Sequence, residues 1–272
     1  MKKVIKAVII IALVALLSVS GVKIWGMSQG YIMEAGIKEK LSLYHPGAPG
    51  AAQWQTAQGA AESQGVSGSF SGGSPQAGIT GESTGSIDEP GRIVNPSIVS
   101  MQEQVNADIA GWLTIPETRI DYPFVHGTDN DYYVSTDLNG NHATAGSIFI
   151  DYRCAPDFTG SNTIIYGHKM RNGSMFGDLH LFADEWFFNN NTTGTVYLPR
   201  CTYSLEIFAY MVVGCSDEMI YDPQADHDAL ISYARENALN FRQPAAGGSI
   251  VTLSACAYSF EGARSVLLGR VS

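Results

Sequence analysis

The sequence predicts a mainly β fold with a few isolated helices, of the mixed-barrel kind, at the far end of an exported chain. Three observations carry this. Eight short β-branched or aromatic runs succeed one another with turn residues between them. One helical stripe precedes the series and one clear helix interrupts it late; strands this short and numerous with isolated helices argue against a βαβ sheet. And the composition changes abruptly before the series begins. The runs are WLTI (112–115), TRIDYPFV (118–125), GSIFID (146–151), NTIIYG (162–167), GTVYLP (194–199), YSLEIFAYMVV (203–213), SIVTLS (249–254) and RSVLLGRV (264–271). Ahead of them, Ser97 is placed to cap a short helix over 97–110, with Ile98, Met101, Val105 and Ile109 on one face. Late in the chain, DHDALISYARENALNF (226–241) keeps Leu230, Tyr233, Ala234, Ala238 and Phe241 on a helical stripe. No internal repeat is visible.

The N-terminal part has another character. Lys2, Lys3 and Lys6 precede an uncharged run from Ala7 to Val22. Sixteen helical residues span roughly 24 Å, short of a hydrocarbon core of about 30 Å. Snorkelling by Lys6 and Lys23 extends the segment toward Trp25. The reading is an uncleaved signal-anchor over residues 1–27, with residues 7–25 in lipid, the N-terminus cytoplasmic and the rest of the chain outside. A cleaved signal peptide is the rival, with Ser18-Val19-Ser20 as its small-x-small site, but the apolar run is long for one. Residues 28–94 read as a juxtamembrane segment and linker. From Pro46 to Pro90 the chain is Gly, Ser, Ala and Gln with no Lys or Arg, which buries too little apolar surface to fold. As a coil of about 45 residues it reaches roughly 35–40 Å. The folded domain is expected over 95–272.

Charge and cysteine usage exclude several classes. The net charge is −10; six lysines and two glutamates up to His45 give +4, leaving −14 for the remainder. A domain that acidic, without a basic cluster, is a poor nucleic-acid binder. Four cysteines in 272 residues (Cys154, Cys201, Cys215 and Cys256) are too sparse for a disulfide scaffold, and no C-x-x-C spacing suggests zinc. No cofactor or metal is expected. Asp121, Asp129 and Asp151 lack calcium-loop spacing, and His126, His142, His180 and His227 lack ligand-like spacing.

The chemistry gathers at strand ends. Cys256 directly follows the run that ends TLSA, His168 directly follows NTIIYG, and Arg264 begins the last strand. Were 249–254 and 264–271 a hairpin, Arg264 would return beside the thiol. Thiol, imidazole and guanidinium together suit acyl transfer: a thiolate attacks a carbonyl, an imidazole protonates the leaving amine, and a cation holds the oxyanion. Singly, each has a plainer reading: a small core residue, a satisfied polar residue and a solvated strand start.

TLSAC with Arg264 downstream, and IIYGHKM upstream, resemble the sortases, cysteine transpeptidases of the bacterial cell surface. The stretches NADIAGWLTIPETRIDYPFVHGTDNDYYV, GSIFIDYRC and NTIIYGHKMRNGSMFGDL are similar to class B members, and the resemblance covers about 98–272. It implies an eight-stranded sortase barrel with an N-terminal helix and a long helix before the strand carrying the cysteine. It also implies Cys256 as nucleophile, His168 as general acid and Arg264 as oxyanion and substrate clamp. The implied substrates are surface proteins with C-terminal sorting peptides of the NPxTx or LPxTG kind, cut after Thr. The implied acceptor is an amine of a peptidoglycan cross-bridge or a pilin lysine. Where the family usually has Thr before the cysteine, this chain has Ala255.

Ser254, Ala255, Tyr258, Met170 and Glu261 are the candidate substrate contacts. Glu261 is also placed to orient Arg264, and Tyr166, Met175 and Phe176 flank His168. Ala255 keeps open a scaffold with the sortase fold and little or no catalysis. A caspase-like enzyme would want a shorter His–Cys separation than 88 residues. An L,D-transpeptidase would want Gly at 255 and Arg at 258.

Overall fold

The computed structural model describes residues 41–46, 94–256 and 261–272, with the side chain of Cys256 outside the description. The predicted anchor, nearly all of the linker, and Tyr258 lie outside the described residues. Among the described residues, no helix is long and apolar enough to cross a membrane.

All eight expected runs form strands. In chain order they are β1 (Ile109–Thr114), β2 (Asp121–His126), β3 (Ile148–Ile150), β4 (Asn162–Tyr166), β5 (Thr193–Tyr197) and β6 (Thr202–Gly214), then, after a two-residue β7 (Asn240–Phe241), β8 (Ser249–Cys256) and β9 (Ala263–Val271). The sheet order is β5-β1-β2-β3-β4-β8-β9-β6, and β5 also pairs with β6, so eight strands close on themselves. The short β7 adds to the outside of β6 through Ala209–Phe241 and Tyr210–Asn240. Pairing is antiparallel except β2–β3 and β4–β8, which are parallel. Closure removes the long exposed edges that eight such strands would otherwise present.

Alternation fills the barrel. Leu113, Phe124, Ile165, Val196, Leu205, Val251, Leu253 and Leu267 share one buried cluster with Phe176 and Phe182 from the segment after β4. Two outer clusters cover the wall. One lies under α3 (His227–Asn237), where Leu230 and Ala234 pack with Phe208, Met211 and Leu268. The other lies under α1 (Pro96–Gln104), where Ile98 and Met101 pack with Ile109, Trp112, Val125 and Phe149.

The helices differ from expectation at their ends. α1 has Asn95 at its N-cap and Pro96 in its first turn, so Ser97 is a buried helical residue and not the cap. It stops at Gln104, because Asn106 turns the chain by accepting the Asp108 N–H at 2.9 Å, and Ile109 starts β1. α3 is capped by Asp226, which accepts the Ala229 N–H at 2.9 Å. It ends at Asn237; Ala238 is extended, and Phe241 belongs to β7. Phe241 still reaches Phe208, ring centroids 6.4 Å apart, so its apolar partner is kept while its backbone joins the sheet. A 3-10 segment (Gly177–Ala183) and α2 (Glu185–Asn190) had no counterpart in the sequence reading.

Residues 41–46, in the stretch read as juxtamembrane, lie on the barrel. Leu41 is buried with Ile98 and Met101. The Tyr44 hydroxyl donates to Gln104 at 3.0 Å. His45 meets Asp121 at 3.0 Å and Trp112 edge-on at 5.2 Å.

Candidate active site

The site is built from the ends of three adjacent strands. β4 and β8 run parallel with Tyr166 opposite Ser254, and the Gly167 N–H continues the ladder to the Ser254 carbonyl at 3.1 Å. The same register, carried two residues on, sets His168 level with Cys256. On the other side, β8 and β9 pair antiparallel with Cys256 opposite Arg264. Neighbouring strands lie about 4.8 Å apart, so the cysteine position has His168 on one flank and Arg264 on the other. Backbone positions separated by up to 96 residues are thus brought to one end of the barrel.

His168 is fixed by its own backbone, whose carbonyl accepts the Phe176 N–H at 2.9 Å. Burial pushes its imidazole below the ordinary 6.5, so the neutral ring dominates at pH 7. The Arg264 guanidinium donates to the Ala263 carbonyl at 3.1 Å and more weakly to Gly262 at 3.4 Å. These bonds anchor one end of a fork with five donors. Glu261 is exposed, and Arg264 is held by backbone carbonyls rather than by that carboxylate.

The neighbouring candidates fall in different places. Ala255 is 2% exposed and packs with Val251 and Leu253 inside the barrel. A threonine methyl or hydroxyl at that position would enter the core. Ser254 is also buried, with its hydroxyl 2.9 Å from that of Tyr221. Met170 packs against the barrel core and lines a cleft beside the His168 loop. Met175 and Phe176 are core residues.

Tyr221 is the residue that the sequence reading missed. Burial pushes its phenol up to about 12, opposed by the Ser254 hydroxyl and by the Arg264 charge. Its ring stacks at 6.2 Å on Tyr166, whose hydroxyl donates to Asp151 at 3.0 Å. Burial alone would raise the Asp151 carboxyl, but two bonds from the Arg153 side chain hold it below the usual carboxylate range. A lone aromatic in the polar loop SDEMIYDP was the only signal, and periodicity does not read loops.

The other titratable candidates have structural partners. Asp121 accepts from Trp112 and Thr114, Asp129 from the backbone of Asp131 and Tyr132, and Asp151 from Asn130 as well as Arg153. His180 and His227 each bond a backbone carbonyl, of Gly177 and Ser161 respectively. The Cys154 thiol is buried between the Asn162 carbonyl and the Ile164 N–H, both at 3.4 Å, and burial raises it to about 11, which makes it a poor nucleophile.

The Sortase domain family matches residues 113–270, more than half of the chain, and the chain belongs to the sortase family. More particularly, it is a class B sortase-like cysteine transpeptidase. Sortase B of Listeria monocytogenes is 35% identical over 176 residues, covering 62% of this chain and 72% of that protein. The structure of Clostridium perfringens sortase B superposes with a TM-score of 0.60 at 29% identity, over 64% of this chain and 98% of that one. A Streptococcus pyogenes class B sortase involved in pilus biogenesis gives a TM-score of 0.60 at 25% identity, over 64% of this chain and 97% of that one.

Proposed function

We propose that this enzyme is held in the cell membrane by residues 1–27, with its catalytic domain outside. There it cuts a C-terminal sorting peptide of the NPxTx or LPxTG kind after Thr and transfers the protein to an amine of the cell wall or of a pilin. The Cys256 thiol passes its proton to the His168 imidazole as its sulfur attacks the Thr carbonyl. Arg264 steadies the oxyanion, and His168 gives its proton to the departing amine. The thioester then meets the acceptor amine, whose nitrogen forms the new amide bond as the C–S bond breaks. A thioester suits this task because amines compete well with water for it.

The observation that supports the reading is the register: Cys256 lies opposite Arg264, and Tyr166, two residues before His168, lies opposite Ser254, two residues before Cys256. The lysine-flanked apolar segment supports the anchor, and a surface enzyme whose substrates are themselves at the membrane supports the location. The Streptococcus pyogenes neighbour's part in pilus biogenesis supports a pilin acceptor as one of the two.

The test is product analysis on the full chain in detergent micelles, with NPxTx and LPxTG peptides and a triglycine acceptor. A ligated product joined at Thr, absent with Cys256→Ala, is the expected result. Peptides left intact across the panel would refute the substrate class.

A further inference from the structure

A cleft of about 910 Å³ opens beside the candidate active site and plays no part in the steps above. One wall is the loop leaving His168, with Lys169, Arg171 and Asn172. The opposite wall is the β1–β2 turn, which brings Arg119. In the sheet order the β1–β2 turn belongs to strands on the β3 side of β4, whereas Cys256 and Arg264 belong to β8 and β9 on its other side.

The cleft is built rather than incidental. The Asp178 carboxylate, 5% exposed, accepts the Arg119 N–H at 2.9 Å and its guanidinium at 3.1 Å, which ties the two walls together. Gly173 sits at φ +83°, where a Cβ would fall 1.9 Å from the Arg119 guanidinium. The loop closes on itself through Gly173 N–H to the Met170 carbonyl at 3.1 Å and through the Lys169–Met175 bridge.

Its charge is unlike that of its surroundings. From residue 95 onward the chain has nine Lys and Arg against twenty Asp and Glu. Three of the nine, including the single lysine, line this cleft. Asp178 balances Arg119, and the other charged side chains of the lining, Lys169 and Arg171 against Glu117, leave the cleft with a positive balance. On an acidic domain, a walled cleft of positive balance focuses its field on anions.

Transpeptidation gives such a place a use. In the second step the acceptor nitrogen must reach the thioester while giving up a proton. His168 directly precedes the loop that walls the cleft, and its neutral imidazole can take that proton. We infer that the cleft is the acceptor subsite and that it recognises a carboxylate carried by the incoming amine, held by Arg171 with Lys169 beside it. This rests on the transpeptidase reading above. The nitrogen lone pair forms the C–N bond, the C–S bond breaks, sulfur leaves as thiolate, and the nitrogen's proton passes to imidazole, so no co-reactant is needed. A carboxylate a few bonds from the amine would aim the nitrogen toward the carbonyl.

The test uses the full chain in micelles and acceptors matched in pairs, one with a free carboxylate and one with a carboxamide: triglycine and triglycinamide, Nα-acetyl-lysine and Nα-acetyl-lysinamide. The readout is the ratio of acceptor KM within each pair, which a general loss of activity leaves untouched. For the unaltered enzyme the carboxylate member should have a KM lower by roughly two- to five-fold. Arg171→Gln should bring the ratio to one, Arg171→Glu should invert it, and Arg171→Lys should retain most of it. A ratio of one in the unaltered enzyme, or a preference that survives Arg171→Glu, overturns the proposal. Failure to form any thioacyl adduct on Cys256 would instead overturn the transpeptidase reading, and intact mass detects it before any acceptor is added.

Discussion

The parallel pair β4–β8 changes character along its length. At its lower end Asn162 and Thr252 are buried, and the Thr252 hydroxyl donates to the Asn162 side-chain oxygen at 2.7 Å. The Asn162 amide in turn donates to the Ile220 and Asp222 carbonyls, both at 3.0 Å. At the upper end β4 finishes at Tyr166, two residues before His168, and β8 at Cys256, with Arg264 across from the cysteine. Below, polar groups find partners within the protein and hold the Ile220–Asp222 loop to the wall. Above, half-buried groups keep part of their bonding capacity for something that arrives. The lower end therefore governs stability and the upper end chemistry, with Tyr221 joining them from the loop to Ser254.

That division can be broken in several ways. Cys256→Ala should abolish thioacyl formation and ligation outright and leave the melting temperature within a few degrees of the parent; residual turnover would remove the nucleophile. His168→Ala and Arg264→Ala should each slow thioacyl formation by about a hundredfold or more, followed by quenched-flow intact mass. A mild effect at Arg264 would leave it without an oxyanion role. Asn162→Ala should do the reverse. It leaves Thr252 and two carbonyls short of partners and should cost about 2–4 kcal/mol in urea unfolding, with little change in kcat at saturating substrate. Tyr221→Phe leaves the buried Ser254 hydroxyl alone and should cost about 1–2 kcal/mol. An accompanying rise in KM would place the tyrosine among the substrate contacts.

The pH dependence sharpens the same contrast. His168 titrates below 6.5 because it is buried. In the first step the Cys256–His168 pair must hold one proton in all, so thioacyl formation should fall as pH drops through the lowered imidazole pKa and fall again as pH rises through that of the thiol. As the base of the second step His168 must be neutral, so transfer to the amine should fall as pH drops through the imidazole pKa. For stability, an unfolded chain binds this proton more readily than the folded one. Stability should therefore rise with pH between the lowered value and 6.5, and be lost as pH falls back across that window. His168→Gln should flatten the slope of unfolding free energy there.

How far the sequence reached follows from what it encodes locally. All eight barrel strands were legible, because β-branched runs bounded by turn residues are a local signal. The two-residue β7 was not, since Leu239–Phe241 continues a helical stripe by period alone; Asn240 joins the sheet opposite Tyr210, 30 positions away, and its side-chain amide donates to the Phe182 carbonyl at 2.8 Å. Residues 41–46 are too few to show periodicity, and their docking depends on Asp121 and Gln104. At the site, strand ends pointed to Cys256, His168 and Arg264; the register sets Cys256 opposite Arg264 and ends β4 two residues before His168. The inward setting of Ala255 was open to alternation once the strand's frame was known. Tyr221 and the cationic cleft were not open to it, because both are assembled from loops that meet only in the folded chain.

The most direct measurement is intact mass of the full chain in micelles after brief mixing with a sorting peptide, with no acceptor present. A mass gain equal to the peptide up to and including its Thr, mapped to Cys256, discharged by hydroxylamine and absent in Cys256→Ala, is the expected result. A chain that stays at its own mass with every peptide, while Cys256 alkylates no faster than a model thiol, would contradict the catalytic reading of the barrel's upper end.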